Sequence, residues 1–142
     1  MKIYNTLSRQ VEEFVPWNKD EVTFYTCGPT VYHYAHIGNM RNYIGHDILD
    51  KTLRYLGYNV KRVMNITDVG HLTSDSDSGD DKMVSSAKKE NKTVMDIAKF
   101  YTDAFFRDFE LLNNRMPDIV SPATANIDEY IKIQNTVYLI LS

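Results

Sequence analysis

With 142 residues, 43% of them hydrophobic, the chain has enough apolar material for one domain with a real core and needs no second domain to fold. Its 16 basic and 19 acidic side chains give a net charge of −3, which excludes the global positive field that drives nonspecific nucleic-acid binding, so any RNA contact has to be local. A single cysteine excludes an internal disulfide, and neither "MKIYNTLSRQ" at the start nor any run of about 18 apolar residues offers a signal or a membrane anchor, so a cytoplasmic chain with no membrane partner is expected.

Residues 1–20 mix short apolar groups with charges and contain Pro16, which predicts an irregular or hairpin lead-in. Residues 22–27, "VTFYTC", are β-branched and aromatic and stop at Gly28 and Pro29, so they read as a strand. Over 39–56 the apolar residues Tyr43, Ile44, Ile48, Leu49, Leu53 and Leu56 recur at short helical spacings before Gly57. That pattern predicts a helix with a broad buried face and a left-handed glycine stop. Residues 60–66 return as a strand, and strand, helix, strand within about 45 residues imply a parallel pair with a right-handed crossover.

Residues 68–92 turn small, polar, acidic and then basic, which predicts a surface loop. Thr93 and Asp96 form a variant capping box before a second amphipathic helix, with Val94, Ala98, Tyr101, Phe105, Phe109 and Leu112 down one face. Aromatics at that spacing are core and not a stacking platform for bases. After Pro117 and Pro122, "ATANIDEYIKIQ" predicts a third helix, and the uncharged last ten residues read as a β-prone tail that needs covering. The expected organisation is one α/β unit: lead-in 1–20, β-α-β core 21–67, polar loop 68–92, and a helical segment with apolar tail 93–142.

The stretch "FYTCGPTVYHYAHIGNMRN", 24–42, follows the first strand and opens the first helix, and so lies at the carboxyl edge of the sheet, where α/β folds bind ligands. The helix start offers unpaired N–H groups and a partial positive charge to a phosphate. Gly38 would let a ligand approach the backbone, and His36 and Asn39 can donate to phosphate oxygens. Cys27 would face the same crevice. Its sulfur suits zinc or a nucleophile, but one cysteine is one ligand, and zinc needs four donors or three and a substrate. His33, His46 and His71 read as surface or satisfied histidines. Asp75, Asp77, Asp80 and Asp81 lack the spacing of a calcium loop and read as solvated.

The runs "CGPTVY", "HIGN" and "NITD", in that order, resemble the N-terminal half of the catalytic domain of cysteine–tRNA ligases, class I aminoacyl-tRNA synthetases. The likeness covers nearly the whole chain, from "IYNTLSRQVEEFVP" to "PATANIDEYI". It implies the first half of a Rossmann-like nucleotide-binding domain, with a parallel β-α-β core and covering helices. The activity implied joins cysteine and ATP into cysteinyl-adenylate and then moves cysteine to the 3′ end of its tRNA. By the same resemblance, Cys27 is the first ligand of a zinc that binds the substrate thiol and rejects serine, whose hydroxyl is a harder and weaker ligand. His36 and Asn39, with Gly38 in the same signature, contact the ATP phosphates and stabilise charge in adenylation. Gly28, Thr30, Thr67 and Asp68 line the amino-acid and adenylate pocket.

The chain departs from the family at several points. Asn39 stands where class I enzymes more often carry His. The family's other zinc ligands and its Lys-Met-Ser-Lys-Ser loop fall past residue 142, and "KMVSS", 82–86, imitates that loop from the wrong half of the fold. The resemblance therefore implies a truncated synthetase, catalytically incomplete alone, marginally stable and prone to self-association through uncovered apolar surface. Two other readings stay open. A small stand-alone nucleotidyltransferase of the His-x-Gly-His type would need a basic ATP-binding segment that the second half of this chain does not offer. A non-catalytic fragment could dock on a partner or on the tRNA acceptor end, although the acidic balance argues against tRNA binding by this chain.

Overall fold

A computed structural model describes residues 1–69 and 93–141. The lead-in is a hairpin: β1 (Lys2–Asn5) and β2 (Gln10–Glu13) pair antiparallel from Lys2↔Glu13 to Asn5↔Gln10. Met1 and Phe14, at the open end of the hairpin, pack against the buried cluster of Val22, Leu53 and Val60, and the Phe14 ring meets Tyr58 edge-on at 5.5 Å. The hairpin thereby closes the amino-terminal end of the main sheet.

Among the described residues that sheet has three parallel strands, β3 (Val22–Thr26), β4 (Val60–Ile66) and β5 (Ile119–Pro122), in the order β3-β4-β5. The register runs from Val22↔Val60 to Thr26↔Met64 and from Val63↔Ile119 to Ile66↔Pro122. The parallel pair expected from the sequence thus gains a third strand where Pro117 and Pro122 had read only as breakers. β5 is four residues long and among the described residues lies at the sheet edge, where a strand tolerates proline.

Helix α1 (Ile37–Tyr55) starts two residues earlier than its apolar period suggested, because His36 caps it, and it stops at Gly57, whose φ of 87° is left-handed. Helix α2 (Val94–Leu111) opens with a reciprocal box, Asp96 N–H donating to Thr93 Oγ1 and Thr93 N–H donating to Asp96 Oδ2, both at 3.1 Å. Both helices lie on the same face of the sheet. Met64 packs with Met40 and Tyr43 from α1 and with Phe105 and Phe109 from α2, and Val31 and Ile66 pack with Ile97, Ala98 and Tyr101. Along β4 the alternate residues Val60, Arg62, Met64 and Ile66 are buried, whereas Lys61 on the opposite face is exposed, as are Tyr25 and Ile119.

The buried stripe of α1 differs from the expected one. Ile44, Ile48 and Leu56 stay exposed, and the inward residues are Met40, Tyr43, Asp47, Asp50 and Leu53. The helix is rotated toward Arg62, which lies wholly buried under it and draws two carboxylates inward. On α2, Leu112 is likewise exposed, since the helix has ended one residue before it. The tail is also corrected. After a 3₁₀ turn (Ala123–Asn126), α3 (Ile127–Leu141) runs straight through the stretch that looked β-prone. With Asp128 and Glu129 in its first turn to suit the helix dipole, propagation at one hydrogen bond per residue prevails over local β preference. Among the described residues no helix is long and apolar enough to cross a membrane.

Candidate functional site

The connection from β3 to α1 crosses the carboxyl ends of the strands and, with both helices, walls a cleft of about 520 Å³. Residues 28–36 form its floor and rim, Asn39 and Tyr43 come from α1, and Tyr101 and Phe105 come from α2. The floor is tied to β4 by the backbone: Val31 N–H donates to Thr67 O at 3.1 Å, Thr67 N–H donates to Pro29 O at 3.0 Å, and Thr30 pairs with Thr67. Gly28, Thr30, His36 and Asn39 are thus brought to one cleft, with Thr67 directly beneath it.

At the helix start, the His36 ring nitrogen Nδ1 accepts from the N–H groups of Gly38 (3.0 Å) and Asn39 (3.3 Å), and Asn39 Oδ1 accepts from His36 N–H at 3.1 Å. Two of the N–H groups expected to be open to a phosphate, those of Gly38 and Asn39, are therefore taken by the capping ring. The same bonds decide the chemistry of the two side chains. With Nδ1 accepting, the neutral imidazole carries its proton on Nε2, and with Oδ1 accepting, Asn39 keeps Nδ2 as its donor. Gly38 gains an explanation within the fold as well: a Cβ there would lie 2.9 Å from His36 Cε1, so the glycine makes room for the capping ring.

Tyr43, two turns along α1 from His36, puts a third polar group at the cleft. Burial, reinforced by the nearby Cys27 sulfur, pushes its phenol up to about 12, so it remains an O–H donor. His33 lies stacked on Tyr101, with ring centroids 6.0 Å apart and planes 9° apart. Tyr101 and Phe105 belong to the core, as their spacing implied, and they form the cleft wall too. Sequence reasoning missed Tyr43 and His33 as cleft residues. The seven-residue spacing of His36 and Tyr43, two turns of one helix face, was the available signal for the former.

Cys27 and Asp68 are not drawn into the cleft. Cys27 is exposed at the end of β3, and among the described residues no three His, Cys, Asp or Glu side chains gather as a metal site. Asp68 is buried and accepts from both the N–H and the hydroxyl of Thr124, which latches the end of β4 to the 3₁₀ turn. It borders a separate hollow of about 180 Å³ between α2 and β5. His71, the Asp75–Asp81 cluster and "KMVSS" lie outside the described residues.

At the far end of α1 sits a charge network that no motif announced. Arg54 bonds Asp50 (2.8 Å) and Asp118 (2.7 Å), Arg115 bonds Asp118 (2.7 Å), and the N–H groups of Arg115 and Arg62 donate to Asp47 and Asp118, each at 2.7 Å. The Arg62 guanidinium lies 3.9 Å from both Asp47 and Asp50, between the rings of Phe24 and Phe109. Burial lowers the Arg62 pKa from its ordinary value against the pull of Asp50 and Asp47. Burial alone would raise Asp118, but bonds from Arg115 and the Arg62 N–H, with Arg54 nearby, hold it at about 2. His46 corrects an expectation. It is half-buried, edge-on to Phe24 and Tyr43, and its Nδ1 has no hydrogen-bond partner among the described residues. Burial and then Arg62 lower its pKa.

A family model described as the class I (C) tRNA synthetase catalytic domain matches residues 13–139. The cysteine–tRNA ligase of Treponema denticola is 58% identical over 133 residues, which is 94% of this chain and 27% of that protein. That of Zymomonas mobilis is 52% identical over 128 residues, 90% of this chain and 25% of that protein. That of Chlorobium chlorochromatii is 45% identical over 137 residues, 96% and 28% respectively. The chain spans roughly a quarter of the length of the curated relatives it matches.

Proposed function

Because the chain belongs to the family of class I (C) tRNA synthetase catalytic domains, we propose that it is the N-terminal part of a cysteine–tRNA ligase, with a cleft that takes the ATP phosphates and the cysteinyl-adenylate. The observation that carries this reading is the reciprocal cap. By capping the Gly38 and Asn39 N–H groups through Nδ1 and the His36 N–H through Oδ1, it leaves His36 Nε2–H and Asn39 Nδ2 as neutral donors at a cleft large enough for a nucleotide. Such donors, held rigidly by a helix end, stabilise negative charge that develops on phosphate oxygens as pyrophosphate leaves, without any proton transfer of their own. Gly28, Thr30 and Thr67 form the floor under the amino-acid end, Gly38 makes the cap possible, and Tyr43 adds an O–H donor. Asp68 acts one step removed, by fixing the end of β4 through Thr124.

Cysteine and ATP are the proposed substrates, and tRNA is the acceptor for the whole ligase. The charge of −3 gives this segment no global positive field with which to hold RNA, so any contact to it is local. A cytoplasmic location goes with that activity. Cys27 is proposed as one sulfur donor toward zinc, which when bound would select a thiol over a hydroxyl. Among the described residues no three His, Cys, Asp or Glu side chains gather as the three or four donors a zinc site requires, so no step is assigned to the metal.

The test is calorimetric titration of ATP into the 142-residue chain, alongside cysteine-dependent ATP–pyrophosphate exchange. ATP binding that weakens roughly tenfold in His36→Asn, the worth of one charge-assisted hydrogen bond, together with no exchange, is the expected result. Absence of ATP binding by the wild-type chain overturns the cleft reading, and exchange overturns the expectation of catalytic incompleteness.

A further inference from the structure

The ladder between β3 and β4 loses its register where the site begins. Thr26 faces Met64 and the next paired residues are Thr30 and Thr67, so three residues, 27–29, stand opposite two, 65 and 66. One extra residue on one strand is a β-bulge, which re-aims a side chain and breaks a ladder hydrogen bond. Here a side chain closes the break. Asn65 Oδ1 accepts from Gly28 N–H at 2.9 Å and from the Tyr25 hydroxyl at 2.9 Å. A backbone N–H can only donate, so the carboxamide has its oxygen, and not its nitrogen, on this side.

The two backbones meet so closely that a Cβ on Gly28 would lie 1.7 Å from the Asn65 carbonyl oxygen, an approach open to glycine alone. On the other flank of Cys27, Thr26 is buried and its hydroxyl donates to Val63 O at 3.4 Å. Cys27 is therefore held on both sides by bonds to β4 while it is itself exposed. The Tyr25 phenol lies beside its sulfur: burial first, and then Cys27, raise the phenol above its ordinary value. Asn65 is not part of the cleft wall, so whatever it does for a ligand it does through these neighbours.

We propose that Asn65 is a positioning residue: by bridging the bulge through Gly28 and Tyr25, its carboxamide oxygen sets the direction of Cys27 and the path of residues 28–30 into the cleft. The functional consequence rests on the reading of this corner as the amino-acid end of the site. The geometry can be tested apart from it, by NMR on the 142-residue chain. The wild type is expected to show a Gly28 amide protected from exchange and a single χ1 rotamer for Cys27, the only cysteine in the chain. Asn65→Ala speeds Gly28 exchange by about tenfold or more and averages the Cys27 couplings, while amides elsewhere in β3 keep their protection. Asn65→Asp, which retains the acceptor oxygen, restores both.

Wild-type protection and rotamer in Asn65→Ala, or no rescue by Asn65→Asp, overturns the proposal. Should Asn65→Ala fail to fold, Tyr25→Phe removes one of the two bonds to the same oxygen. It is expected to average the Cys27 rotamer with Gly28 still protected, and unchanged couplings overturn the proposal equally. Failure of the ATP titration bears on the cleft reading alone, so the two can fall separately.

Discussion

The two ends of α1 use polar side chains in opposite ways. In its second half Asp50 bonds Arg54, Arg54 bonds Asp118, and Asp47 pairs with Lys51 and accepts from the Arg115 N–H, with the Arg62 guanidinium 3.9 Å from both Asp47 and Asp50, so carboxylates and cations face one another inside the protein. At its first turn His36 and Asn39 satisfy the backbone with one polar atom each and keep a neutral donor at an open cleft. One end is closed electrostatically and serves the fold. The other is satisfied only as far as the backbone requires, which is the condition for holding a ligand without collapsing onto itself.

The strongest way to break this comparison is at the closed end. Arg62→Ala opens a cavity under α1 and removes the cation 3.9 Å from both Asp47 and Asp50, which keep Lys51, Arg54 and Arg115 as partners, so a loss of about 2–3 kcal/mol in urea-induced unfolding is expected. The double replacement Arg62→Met with Asp50→Leu should recover much of it, because apolar residues of similar size often replace a buried ion pair without cost. A loss under about 1 kcal/mol for the single variant would mean that water reaches the network and that the contrast between the two ends is false.

A smaller effect sharpens the open end. His36→Ala removes the cap and should lower stability by about 1 kcal/mol, whereas His36→Asn, a good capping residue, should leave the unfolding midpoint unchanged while the Nε2 donor is gone. Equal loss in both variants would show that the ring stabilises the helix by packing and not by capping.

The smallest effect reads the closed end by pH. His46 has a folded pKa below its ordinary 6.5, so the unfolded chain binds that proton more readily. Its contribution is complete above pH 6.5 and is lost as the pH falls through the window beneath. Asp118, held at about 2 against an ordinary 3.8, adds stability that is complete above pH 3.8 and is lost as the pH falls toward 2. Thermal melts from pH 8 to 5 should show the upper slope in the wild type and not in His46→Gln. A slope that survives that substitution would assign it elsewhere.

Much of the candidate site was legible in the chain. The glycine and proline after "YTC" marked the end of β3, the "HIGN" run marked the helix start, and strand, helix, strand placed both at the carboxyl edge of a parallel sheet. The detailed chemistry was less legible. That His36 would take up the very N–H groups offered to a phosphate depends on its ring folding back over Gly38. That Asp68 would bond Thr124 depends on a contact across 56 residues of sequence.

By itself the sequence determined β3, α1, β4, the Thr93–Asp96 box and the glycine stop, because propensity, capping and apolar period act between residues at most about four apart. Only the tertiary structure decided that 119–122 would be a strand, that two aspartates would turn inward on α1, and that the bulge at 27–29 would be bridged by Asn65. Each of these needs a partner remote in the chain, 37 residues away for Gly28 and Asn65 and 68 for Asp47 and Arg115, and hydrogen-bond satisfaction in a buried setting is decided only once those partners have met.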